Sequence, residues 1–182
     1  MAADREPRDE VDLVVEAWSR ERPDLDVTPM RVLSRVTRLA RHLDRQRAAS
    51  FSAHGLETWE FDVLAALRRA GPPNQLSPGQ LLRETMVTSG TMTNRVDRLA
   101  ARGLVRRDLH PGDKRGVLVG LTEAGRSAVD AALADLLEAE QQLLAGLDAG
   151  DQHQLAQTLR RLLVVYREEP TGAARPSETH PR

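Results

Sequence analysis

A mainly α-helical chain carrying one small β-hairpin is the expected fold. Apolar residues recur at helical spacing along most of the sequence, one stretch near the middle is β-branched and alternating, and Pro and Gly punctuate the joins. A length of 182 residues suits one domain, or one domain with an oligomerisation arm. Apolar residues make up 40% and aromatics 3%, so a core is affordable and must be built of Leu, Val and Ala.

The elements follow in order. Val11, Val14, Val15 and Trp18 fall at i, i+3, i+4 and i+7, one stripe of a helix over 8–20 that stops near Pro23. Thr28 before Pro29 reads as an N-cap with proline at the first helical position. That helix runs to about Ala53, with Leu33, Val36, Leu39, Ala40 and Leu43 inward and Arg31, Arg35, Arg38, Arg41 and Arg45 mostly on the other side. Gly55 interrupts, and a third helix over 56–70 ends at Gly71-Pro72-Pro73-Asn74. Ser77-Pro78 opens a short helix through Glu84. Thr88 or Ser89 caps the next, through Arg102, with Met92, Val96, Leu99 and Ala100 inward and Gly103 just past its end. "LVRRDLHPGDKRGVLVGLT", Leu104–Thr122, reads as two strands around a turn. Thr122 caps a long helix bearing Val129, Leu133, Leu136, Leu137, Leu143, Leu144 and Leu147, and "DAGD" breaks it. A last helix over about 151–167 carries Leu155, Leu159, Leu162, Leu163 and Tyr166, and the tail 170–182 has too little to bury and is expected to be disordered.

Composition narrows the function. With no cysteine there are no disulfides, no thiolate chemistry and no Cys-based zinc site. The five histidines, at 42, 54, 110, 153 and 180, show no metal-binding spacing. No glycine-rich loop follows a strand, which argues against a nucleotide-cofactor enzyme. No run is apolar enough to span a bilayer and the N-terminus is charged, so a cytoplasmic protein without membrane contact is expected. The net charge of −1 conceals a segregation: residues 1–26 and 122–169 each hold nine acids and four bases, whereas 27–121 hold sixteen bases and eight acids. A basic middle between acidic ends suggests a polyanion-binding face.

Helix, turn, helix, hairpin is the central order, and a helix-turn-helix lays its second helix in the DNA major groove. That helix offers Thr88, Ser89, Thr91, Thr93, Asn94, Arg95 and Arg98 outward, all side chains that bond phosphates and base edges. The hairpin tip adds Lys114 and Arg115 beside Asp113, and Arg115 suits an adjacent minor groove, where negative potential concentrates. Arg106 and Arg107 point to opposite faces of their strand, so at most one meets phosphate directly. A winged module that contacts protein instead of DNA remains open on these residues alone.

"SGTMTNRVDRLAARGLVRRDLHPGDKRGVLVGLTEAGR", Ser89–Arg126, resembles the recognition helix, wing and following helix start of the MarR family of bacterial transcription regulators. The likeness rests on Asn94-Arg95, Leu99, Gly103-Leu104-Val105, Asp113-x-Arg115 and Leu121-Thr122-x-x-Gly125, and extends over residues 30–167. It implies a winged helix-turn-helix homodimer joined through its N- and C-terminal helices. The dimer would bind double-stranded DNA at a pseudo-palindrome with half-sites roughly one turn, ~10 bp, apart, and would act as a repressor. The implied divisions are 1–55 for dimerisation and one wall of a ligand pocket, 56–121 for the DNA-binding lobe, and 122–169 for further dimerisation.

The family also implies a small-molecule effector. Its redox-sensing branch needs cysteine and is excluded. The added N-terminal helix with Trp18 is similar to that of the PecS-like, urate-responsive branch. The positions matching that branch's ligand residues are Trp18, Asp62, Arg69 and Arg95. Asp62 and Arg69 are seven apart and share a helix face. For flat, anionic urate, Trp18 would stack or donate its indole N–H and Arg69 would bind in a forked geometry. Asp62 would repel the anion, and Arg95 would close from the recognition helix. Carboxylate and phenolic effectors remain alternatives, and no cofactor is implied.

Overall fold

The computed structural model describes residues 8–110 and 113–167, and leaves the side chains of His110, residues 113–115 and residues 165–167 outside that description. Seven helices and three strands follow one another among the described residues: α1 (Glu10–Glu21), α2 (Thr28–Ser52), α3 (Thr58–Arg69), β1 (Gln75–Leu76), α4 (Pro78–Thr85), α5 (Ser89–Ala101), β2 (Val105–His110), β3 (Asp113–Leu121), α6 (Glu123–Leu144) and α7 (Ala149–Arg167). The mainly helical reading with one small antiparallel hairpin holds. The hairpin-tip residues Pro111 and Gly112 and the tail 170–182 lie outside the described residues, as do the side chains of Lys114 and Arg115.

Helix starts show where local chemistry overrode the simplest reading. Asp9 opens α1: its Oδ1 accepts from the Val11 N–H at 2.8 Å while the Asp9 N–H donates to Asp12 at 3.0 Å. Thr28 does not cap α2. It is already helical, its N–H donates to Asp26 Oδ1 at 2.9 Å, and Val27 stands at the cap position with no side-chain bond. Ser77 caps α4 as expected, exchanging bonds with Gln80 at 2.8 and 3.3 Å. Thr122 caps α6 by accepting from the Gly125 N–H at 3.0 Å.

The strand β1 was not anticipated. Its two residues pair antiparallel with the end of β3, Gln75 opposite Gly120 and Leu76 opposite Val119, giving the sheet order β1-β3-β2. Asn74 sets up this pairing. It is buried with φ +58, a conformation Asn tolerates better than most residues. Its amide donates to the Arg68 carbonyl at 3.1 Å and its Oδ1 accepts from Arg126 at 2.6 Å. Its backbone carbonyl accepts from the Leu121 N–H at 3.0 Å. One residue thus joins the end of α3, the sheet and α6.

Two compact units make up the chain, divided after Leu137 within α6. In the first, a single core gathers Phe51, Phe61, Leu64, Leu67, Leu81, Met92, Val96, Leu99, Val119, Val129 and Leu136, with the Phe51 and Phe61 rings stacked at 3.9 Å. Val11 and Val15 of α1 are buried, whereas Val14 and Trp18 of the same predicted stripe are exposed. Leu33, Val36, Leu39 and Ala40 of α2 are exposed, against expectation, and Leu43 is only half-buried; Phe51 is the one fully buried residue of that helix. The period of that stripe is helical, but among the described residues its positions before Leu43 stay exposed. In the second unit, Asp148 accepts from the Asp151 N–H at 2.8 Å and opens α7 directly after the break. Leu143, Leu147, Leu155, Leu162 and Leu163 are exposed there.

Candidate nucleic-acid interface

The polar side of α5 is presented to solvent because its apolar side is fully used. Met92, Val96 and Leu99, spaced four and three apart, sink into the core. Thr88, Ser89, Thr91, Thr93, Asn94 and Arg98 are then exposed and Arg95 is half-buried. The helix start is also open. Thr88 stands at the cap position, but its hydroxyl pairs with the Thr91 hydroxyl at 2.9 Å and no side chain caps the helix, which corrects the expected Thr88 or Ser89 cap. The first-turn N–H groups keep their hydrogen-bonding capacity and the positive end of the helix dipole. Hydroxyls, an amide, two guanidiniums and a positive helix end on one solvent face can bond to phosphates and base edges. The preceding turn is held by Met86 at φ +52.

On the hairpin the two arginines part as the strand pleat requires. Arg106 lies across the sheet, donating from Nε to Asp108 at 2.9 Å and from Nη1 to the Leu121 carbonyl at 2.8 Å. Gln75 donates to the same Asp108 carboxylate at 2.7 Å. This cluster sits over Gly120, where a Cβ would come within 3.1–3.2 Å of Asp108, Arg106 and Gln75. Arg107 points the other way and pairs with Asp97 of α5 at 2.5 Å, tying the wing to the helix. It also borders an apolar cleft of about 240 Å³ with Pro78, Ser89, Thr93, Val117 and Val119.

The start of α3 supplies a second boundary to the α5 face. Glu57 accepts from the Trp59 indole N–H at 2.7 Å with one oxygen and from Arg98 at 2.7 Å with the other. The indole bond, then Arg98, hold the Glu57 carboxyl below the usual carboxylate range. The guanidiniums of Arg98 and Arg95 stand over the Trp59 ring, 4.7 and 5.4 Å from its centroid. Together with Thr91 and Asn94 these residues line a shallow cleft of about 580 Å³. One turn further along, Glu60 is only 1% exposed; it accepts from the Glu57 N–H at 3.0 Å and pairs with Arg102, which also donates to the Gly55 carbonyl at 2.8 Å. Two acids at the start of α3, Glu57 at its cap and Glu60 in its first turn, thus clamp two arginines at the end of α5.

The predicted ligand residues are dispersed. Trp18 is 48% exposed on α1. Asp62 is half-buried on α3, and Arg69, on the same helix, is exposed and pairs with Glu84 of α4 at 3.5 Å. Of the four, Arg95 alone lines the cleft beside Trp59. Among the described residues no cluster of His, Asp or Glu could hold a metal, and no helix is long and apolar enough to cross a membrane.

Sequence reasoning missed Glu57, Trp59, Glu60, Arg102 and Asn74. The E-x-x-E spacing of 57 and 60 and the R-x-x-x-R spacing of 98 and 102 place each pair one helical turn apart, but only the packing of α3 against α5 brings acid to base.

Comparison with known proteins bears on these features. The MarR family model matches residues 54–116, which span α3 to the wing. The transcriptional regulator PecS of Dickeya dadantii is 37% identical over 153 residues, 84% of this chain and 92% of PecS. A mutant Escherichia coli MarR in complex with operator DNA superposes with a TM-score of 0.62 at 28% identity, covering 76% of this chain and 99% of that one. Bordetella bronchiseptica BpsR, whose DNA binding is regulated by 6-hydroxynicotinic acid, gives a TM-score of 0.54 at 28% identity over 70% of this chain and 98% of that one. The helix pair, the wing and a relative matched over nearly its whole length agree: the chain belongs to the MarR family of winged-helix, DNA-binding transcription regulators, on its PecS-like branch, and is not an enzyme.

Proposed function

We propose that the protein is a dimeric repressor that grips a pseudo-palindromic operator and lets go when a small anionic aromatic metabolite such as urate binds. The observation that carries the DNA part is the uncapped, solvent-facing polar side of α5 beside the wing. Ser89, Thr91, Thr93, Asn94, Arg95 and Arg98 read the major groove, with Thr88 at the helix start bonding phosphate. Lys114 and Arg115, whose side chains lie outside the described residues, are assigned to DNA, with Arg115 for the flanking minor groove. Of the strand pair, Arg107 is the one turned towards α5 and Arg106 braces the sheet. Two lobes on one duplex require a second copy, and α1, α2 and α7 carry the apolar residues that would meet it.

The effector part rests on similarity to PecS and on the aromatic acid that regulates BpsR. Trp18, Asp62, Arg69 and Arg95 are the residues assigned to the ligand. They lie on α1, α3 and α5, so a ligand that gathers them would move α5. It shifts the equilibrium only as far as it prefers the DNA-released arrangement.

The test is a mobility shift on the DNA upstream of the protein's own gene, across salt and with urate, xanthine and a panel of aromatic and carboxylic acids. Affinity is expected to fall about a thousandfold or more between roughly 50 and 200 mM salt as phosphate contacts release counterions. A flat response would point to a protein-binding module and overturn the DNA reading. Trp18→Phe and Asp62→Asn are expected to blunt release by urate while DNA binding stays near the parent's. Parental release in both variants would remove the ligand assignment.

A further inference from the structure

We infer that Trp59 of α3 is a positioning residue for DNA binding, a π-face platform that presets the guanidinium of Arg95 on the reading helix before DNA arrives. The inference rests on the reading above that α5 meets the duplex. Arg95 and Arg98 are three residues apart, so their like charges share one helix face and repel. Left alone, two such long side chains sample many rotamers, and ordering them on binding costs affinity. The single indole beneath both changes this. Its ring carries negative charge on its face and attracts each guanidinium, at 5.4 Å for Arg95 and 4.7 Å for Arg98.

The platform is itself fixed. Its N–H donates to Glu57 at 2.7 Å, and its body packs against the buried core. The two arginines differ in what else holds them. Arg98 is also bound by the second Glu57 oxygen, whereas Arg95 has no carboxylate partner among the described residues. Loss of the ring should therefore release Arg95 far more than Arg98. Trp59 lies outside α5 and outside the wing, so nothing in the helix-turn-helix pattern nominates it.

The test is a double-mutant cycle on operator affinity at fixed salt, using full-length parent, Trp59→Met, Arg95→Ala and the double variant, with Trp59→Phe as the conservative rescue. Trp59→Met is expected to weaken operator binding about fivefold, in keeping with a partly solvated cation–π contact. Trp59→Phe keeps the ring face and should stay within about twofold of the parent. In the Arg95→Ala background, Trp59→Met should cost less than about twofold, because a platform without its guanidinium has nothing to position. Equal losses from Trp59→Met in both backgrounds would overturn the inference, since a residue that merely supports the fold adds its cost regardless of Arg95. If Trp59→Met does not fold, Trp59→Leu takes its place in the same cycle, and equal losses with and without Arg95 again overturn the inference. A parent that binds no DNA in a salt-dependent way is a different result and defeats the underlying reading instead.

Discussion

Gly125 is where one missing methyl group decides whether the start of β2 and the start of α6 can share a corner. A Cβ there would lie 2.0 Å from the Leu104 carbonyl oxygen, which is backbone and has nowhere to go. The same carbonyl accepts from the Thr122 N–H at 3.2 Å and the Thr122 hydroxyl at 2.9 Å, so the start of α6 is pinned against the start of β2. Gly125→Ala is expected to lower unfolding stability by about 1–3 kcal/mol, the usual cost of forcing atoms into a packed site. Gly79→Ala, where nothing lies within 4 Å of the added carbon, should be neutral or slightly stabilising. Urea midpoints compare the two, and equal midpoints would show that the corner yields. The Leu121-Thr122-x-x-Gly125 pattern was legible in the sequence, and so was the Thr122 cap. The reason for the glycine was not, because Leu104 meets it only in the folded chain. Thr88 misled for a similar reason: the Thr91 hydroxyl competes for it, and a propensity for capping does not show who else bids.

At the scale of elements, α1 is held to α2 by two unlike means. Val11 and Val15 bury one stripe, which the helical period announced. The other means is Arg35 of α2, which donates to Asp9 at 2.7 and 2.9 Å and to Asp12 at 2.8 Å. That fork was invisible from spacing, because the arginine row of α2 reads as a solvated face. Arg35 is the main cause holding Asp9 below the ordinary carboxylate value; for Asp12 the Asp9 N–H comes first and Arg35 second. Both folded values lie below the unfolded ones, so the attachment is fully present above the unfolded pKa and is lost as pH falls through the folded values. The protection factors of the α1 amides should therefore be high near neutrality and fall, giving faster exchange relative to the intrinsic rate, below roughly pH 4. Arg35→Met should show that faster exchange at neutral pH already. Unchanged protection in Arg35→Met would mean the apolar stripe suffices. The strand β1 shows the converse limit: two residues carry too little pattern to announce themselves, and their partner in β3 is far along the chain.

For the whole molecule, the apolar surface left over is the main unresolved term in a single chain. The core gathers residues between Phe51 and Leu136, while α2 buries only Phe51 and leaves Leu33, Val36 and Leu39 open. On α7, Leu155, Leu162, Leu163 and Val164 are exposed, Leu163 by 64%. The sequence marked Leu33, Val36 and Leu39 as inward and put the apolar residues Leu155, Leu162 and Leu163 on α7. The period was right about the helices and silent about whose surface would cover them. Soluble monomers rarely leave large contiguous apolar patches uncovered. A second copy, as proposed, would cover them and set two reading helices on one duplex face. Stability should then depend on protein concentration, because dissociation precedes or accompanies unfolding. The melting temperature is expected to rise measurably over a hundredfold range of concentration. Leu163→Glu, which places a charge on the uncovered row of α7, should shift sedimentation towards the monomer and flatten that dependence. It should also weaken operator binding much more than binding to a single half-site, since only the dimer joins two lobes. A chain that sediments as a monomer at micromolar concentration, with a melting temperature independent of concentration, would leave the apolar rows for another partner. In that case the operator would be read by one lobe at a time.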